Sequence, residues 1–184
     1  MTEQPIRRIS RTTSRVAALV ALVLVAGLAA AKGPGILFPD WSPPTAGSYD
    51  EPKGELGKKS DEPWSTTTMA SSIMGKPVEG KTTTVVGEII DLSCYLQVGK
   101  HGDKHRDCGI KCVKNGQPVG LLAKDGAVYM LIDEEHDPRR DGLTEFRKQV
   151  VEHMAHVVTV HGTLTDVEGQ KAIYVQGSVK AKAK

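Results

Sequence analysis

Hydrophobic and polar positions divide the 184-residue chain into three unlike stretches. Residues 16–31 (VAALVALVLVAGLAAA) form one apolar run without a polar side chain. A helix that is apolar all round has no face to turn to water, so the run predicts a signal peptide or a membrane anchor rather than a core helix. Residues 32–79 show no sustained apolar period and hold seven Pro and six Gly. Such a stretch buries too little surface to offset the entropy of ordering, which predicts a flexible linker. From residue 80 the pattern becomes that of a folded domain. Residues 81–92 (KTTTVVGEIIDL) are β-branched and predict a long strand, with Gly87 marking a bulge or bend. Residues 118–123 and 127–132 predict two more strands joined by the Lys124-Asp125-Gly126 turn. Leu143, Phe146, Val150, Val151 and Met154 recur at helical spacing and predict an amphipathic helix over 142–153. Residues 157–164 and 172–179 predict the last two strands, and 181–184 a basic tail.

Charge changes the reading of the N-terminus. The net charge of +2 sums unlike parts, with Arg7, Arg8, Arg11 and Arg15 preceding the apolar run against the single acid Glu3. A positive flank is retained on the cytoplasmic side while the following chain crosses. Residues 1–31 are therefore expected to be a signal peptide cleaved near Ala31 or an uncleaved anchor. Either places the remainder on the extracytoplasmic, periplasmic face, near a membrane or a membrane-protein complex, where disulfides are permitted. Trp41 and Trp64 both fall in the linker stretch. They are expected either to dock on a partner or membrane, or to fold back on the domain.

The predicted order is β-β-β-α-β-β, and VVGEIIDL, VVTVHGTL and AIYVQGSV supply its first strand and closing hairpin. In pattern and strand order residues 80–180 resemble exported bacterial OB-fold proteins. The resemblance implies a mainly β, five-stranded barrel and says little about function. It does not carry nucleic-acid binding here. From Gly80 onward there are 15 Lys and Arg against 14 Asp and Glu, and the aromatic rings are Tyr95, Tyr129, Phe146 and Tyr174.

The long connection between the first two strands, residues 93–117, carries the candidate chemistry. Cys94 sits at the end of the first strand, followed by His101, His105, Cys108 and Cys112. Asp103 and Asn115-Gly116 suggest the start and stop of a helix, on which His105, Cys108 and Cys112 would share one face. Thiolate and imidazole favour zinc, copper or iron over the hard cations. Cys94, His105, Cys108 and Cys112, with His101 optional, therefore form a candidate transition-metal or metallocofactor site. Two alternatives stand beside it. Cys94 could pair with Cys108 or Cys112 in a disulfide, leaving one thiol over, or Cys108 and Cys112 could act in thiol redox chemistry. No hydrolase, P-loop or dinucleotide motif is present, so the expectation is a binding or accessory subunit rather than an enzyme. The acidic cluster at 133–137 reads as a solvated loop, and His153, His156 and His161 as cap or surface residues.

Overall fold

The computed structural model describes residues 42–134 and 142–177. The apolar run at 16–31, Trp41, the acidic loop at 135–141 and the basic tail lie outside the described residues. The strands are β1 (Glu55–Leu56), β2 (Lys81–Asp91), β3 (Val119–Ala123), β4 (Val128–Asp133), β5 (Val157–Val167) and β6 (Gln170–Val175). The α-helices are α1 (Thr66–Ser71), α2 (Leu92–Val98), α3 (Arg106–Lys114) and α4 (Glu145–Glu152).

Five strands close into a mixed barrel. β2 pairs antiparallel with β3 and β5, β3 with β4, and β5 with β6, while β4 and β6 run parallel and complete the circuit. The closed order β2-β3-β4-β6-β5 is consistent with an OB-like barrel. β2 is long enough to serve two neighbours. Its first part faces β5, and at Gly87 and Glu88 it meets both β5 and β3 before continuing along β3 alone. The expected strands and helix all form, with the helix between β4 and β5. Gly116 lies at positive φ where α3 stops, as the Asn115-Gly116 signal implies.

Alternation along the strands fills the barrel. Ile89, Leu121, Val158, Val160, Ile173 and Val175 are fully buried in one cluster. Helix α4 adds Phe146 and Val150, and Val113 enters from α3. At about 1.5–3 kcal/mol for each large apolar side chain buried, this cluster is the main favourable term of the domain.

Residues 42–79, expected as a flexible linker, instead run along the barrel. β1 pairs parallel with β5, setting Leu56 opposite Val160. Backbone bonds continue the contact: Thr45 N–H donates to the Ala155 carbonyl (2.8 Å), Lys53 N–H to Val157 (2.8 Å) and Lys58 N–H to Gln176 (2.9 Å). Trp64 packs edge-on against Tyr174 with centroids 5.2 Å apart, and its indole N–H donates to the Val78 carbonyl. Trp64 therefore folds back on the domain. Helix α1 is held by Glu134, whose carboxylate accepts from Ser65 N–H (2.7 Å) and the Thr68 hydroxyl (2.8 Å). Glu134, expected in a solvated loop, is buried. Backbone pairing makes this docking possible without an apolar period, which is why composition misjudged it. No helix among the described residues is long and apolar enough to cross a membrane.

Leu56 tests the docked strap directly, because it is fully buried although its neighbourhood reads as linker. Leu56→Ala is expected to lower unfolding stability by about 2–5 kcal/mol, the range for emptying a buried leucine site. Denaturant unfolding at one temperature measures it. A change near zero would mean that residues 42–79 do not dock.

Candidate metal centre

The site begins where β2 ends. Asp91 is fully buried, and its side chain caps the next helix: Oδ1 accepts from the backbone N–H groups of Ser93 (3.0 Å) and Cys94 (3.3 Å). That cap turns the chain from strand into α2. Cys94 consequently lies in the first turn of a helix, not at the end of the strand as expected.

The helix expected between Asp103 and Asn115 forms as a 3₁₀ turn, Asp103–His105, running into α3. Two arginines fix α3 against α4. Arg106 donates to the carbonyls of Met154 and Glu152 at the end of α4. Arg147 on α4 donates to the carbonyls of Val113 (2.8 Å), Gln117 (3.1 Å) and Gly116 (3.4 Å) at the end of α3. Each helix thus supplies the cation that satisfies the other's C-terminal carbonyls. Gly109 allows the close approach. A Cβ there would lie 2.9 Å from the Met154 sulfur and 3.7 Å from Asp91 Cβ. The glycine that costs helix propensity is what lets α3 lie against Met154, with Asp91 at ordinary contact distance beside it.

The loop between α2 and α3 is held by Glu88, which is buried on β2. Its carboxylate accepts from Gly102 N–H (2.7 Å) and pairs with His101 Nδ1 (2.9 Å). The strap crosses over this loop: Asp103 N–H donates to the Pro43 carbonyl, Lys104 N–H to the Ser42 hydroxyl, and the Thr45 hydroxyl to Asp103. Asp103 therefore ties down the strap, and the turn's N-cap residue is Gly102, with no side-chain cap. Gly102 has φ +76°, and a Cβ there would fall 1.8 Å from the Ser42 carbonyl oxygen.

These supports bring Asp91, Cys94 and His105 together, with one ligand-type atom from each lying within 4.8 Å of the others. The group could hold a metal ion. Its polarity is otherwise unanswered. Asp91 Oδ2 and His105 Nε2 are buried 3.8 Å apart, and neither meets a nitrogen or oxygen hydrogen-bond partner among the described residues; only the Cys94 and Cys112 thiols approach the Asp91 carboxylate. Leaving such atoms unpaired costs about 1–3 kcal/mol each, more for a charged group. An Asp–His ion pair does not resolve this. Burial lowers the His105 pKa, and the Asp91 charge only partly opposes it. The ring is therefore neutral at neutral pH and able to act as a ligand.

Cys112 lies beside this group, and the three cysteines are free thiols. Hydrogen bonding toward the Asp91 carboxylate, then burial and the Asp91 charge, push the Cys112 thiol up to about 12. The Cys94 thiol is raised first by burial and then by Asp91. Cys108 is exposed on α3 and, like Cys112, is not among the three residues that converge within 4.8 Å. His101 is outside the convergent group, with Nδ1 directed to Glu88. Asp91 was not singled out from sequence. Its one legible signal is position, three residues before Cys94 at the start of a helix, a spacing that also fits a plain N-cap.

The remaining described histidines lie elsewhere. His153 and His156 face each other with Nδ1 atoms 3.5 Å apart, and His161 Nδ1 contacts the Thr84 hydroxyl (2.9 Å). Comparison with protein families, curated proteins and solved structures finds no match to this chain.

Two outcomes follow from these environments. Burial lowers the pKa values of His105, His153 and His156, so the unfolded chain takes up protons more readily than the folded one. Their contribution to stability is complete above about pH 6.5 and is lost as pH falls through the lowered folded values. In chelator, the thermal midpoint should fall between pH 7 and pH 5, and a constant midpoint would contradict the buried placement. Alkylation should also order the thiols, because only thiolate reacts. At pH 8 the raised Cys112 thiol stays protonated, so peptide mapping should find exposed Cys108 modified first and Cys112 last.

Proposed function

We propose that the domain is a metal-binding module that holds one borderline transition ion through Asp91, Cys94, His105 and Cys112. The observation that carries this reading is the pair of buried, unpaired atoms, Asp91 Oδ2 and His105 Nε2, facing each other beside two thiols. A cation would satisfy both at once, whereas a disulfide would leave both unpaired. Oxygen, nitrogen and sulfur donors together suit zinc, copper or iron. Donor atoms around a tetrahedral ion lie roughly 3.2–3.8 Å apart, so the three mapped within 4.8 Å need to close by only about 1 Å.

The OB-type barrel is the scaffold in this proposal, with the ion held outside its wall between β2, α2 and α3. The basic flank and apolar run of residues 1–31 support an exported, membrane-associated protein facing the periplasm. There the module would serve as a binding or accessory subunit.

Metal analysis and thiol counting on full-length protein purified without chelator test the reading. One ion per chain with protected thiols is expected. His105→Ala and Asp91→Asn should each weaken binding by more than the roughly 10–100-fold typical of residues that only orient ligands. His101→Gln should keep one ion per chain, because His101 is directed toward Glu88. One disulfide, one free thiol and no metal would instead establish the disulfide-stapled alternative.

A further inference from the structure

The four proposed ligands are not equally reachable. Asp91 has no exposed surface and His105 is 7% exposed. Cys94 and Cys112 are half-buried, and Cys108 alone among the cluster is exposed. Cys108 is three residues after His105 and four before Cys112, so it shares the α3 face that carries them. Exposed on that face between buried His105 and half-buried Cys112, it lies on the solvent side of the group. The crevice behind, lined by Glu88, Asp91, His101, His105, Arg106 and Met154, is narrow. The fixed cation Arg106 on its wall makes that side unfavourable for an incoming metal ion.

A hydrated or chelated ion therefore cannot meet Asp91 first. We propose that Cys108 is the entry ligand of the site, capturing a thiophilic ion from solution or from a donor and passing it inward by ligand exchange. This rests on the metal-binding reading above. Capture forms a metal–sulfur bond, displaces one water or donor ligand from the ion, and releases the Cys108 thiol proton to buffer; the ion's other original ligands leave during the inward step. In the inward step the ion bonds to the Cys94 and Cys112 sulfurs, whose protons leave, and to Asp91 Oδ2 and His105 Nε2. The Cys108–metal bond breaks and its sulfur takes up a proton. Each step exchanges ligands and protons with no change of oxidation state. The donor class that fits is a low-molecular-weight or protein thiolate or imidazole complex, since these can share the ion with one exposed sulfur.

Stopped-flow mixing of metal-free, reduced full-length protein with Co²⁺ separates entry from residence. Wild type should reach one cobalt per chain, with the intense visible bands of a tetrahedral thiolate site. Cys108→Ser should slow their appearance by about tenfold, within the roughly one to three decades over which association rates vary among variants of one site. Its final spectrum and stoichiometry should match wild type, and Cys108→His should recover part of the rate. An unchanged rate in Cys108→Ser would overturn the entry role. A final spectrum with weaker thiolate absorption would overturn it differently, by making Cys108 a resident ligand. If wild type binds no cobalt, the metal-binding reading itself fails, and the entry role with it.

Discussion

A carboxylate shielded from bulk solvent sits at the junction of β2 and α2, and much of the domain is arranged around it. Asp91 is fully buried. Removing a carboxylate from water costs several kcal/mol unless its oxygens are answered. Half of that requirement is met locally: Oδ1 caps α2, where two backbone N–H groups and the positive helix end meet it. The other oxygen faces His105, whose ring is kept neutral by the same burial. The geometry that stabilises the helix therefore also creates an unsatisfied negative group among three ligand-type side chains.

The rest of the insertion reads as support for that junction. Glu88, three residues earlier on β2, holds the loop that brings His105 in, and the strap residues Ser42, Pro43 and Thr45 tie the same loop from outside. Arg106 and Arg147 lock the cysteine-bearing helix to α4 by satisfying carbonyls at the ends of both helices. The barrel provides a rigid edge, and hydrogen bonds made mostly by backbone atoms bring distant segments onto it.

Exposure then orders the cluster. In the proposed function, affinity would reside in the buried donors, where solvent screens a cation least. Access would reside in Cys108, the exposed thiol of the group. Separating these tasks would let one site hold an ion without sealing it from solution.

The sequence by itself determined the barrel strands, the turn at Asp125-Gly126, helix α4 and the grouping of cysteines and histidines in one insertion. β-branching, alternation and helical period are local properties, and the closed barrel follows from them. It also indicated Cys94, His105, Cys108 and Cys112 as candidates, because residue type and spacing are visible without a fold. Only the tertiary structure decided that His101 turns to Glu88 and that Asp91 joins the group, since both depend on how β2 lies against a loop more than ten residues away. Only it decided that residues 42–79 dock. Their contacts are backbone pairs, scattered side-chain hydrogen bonds of Ser42, Thr45 and Thr68, one buried leucine and one tryptophan, which leave no periodic trace in composition.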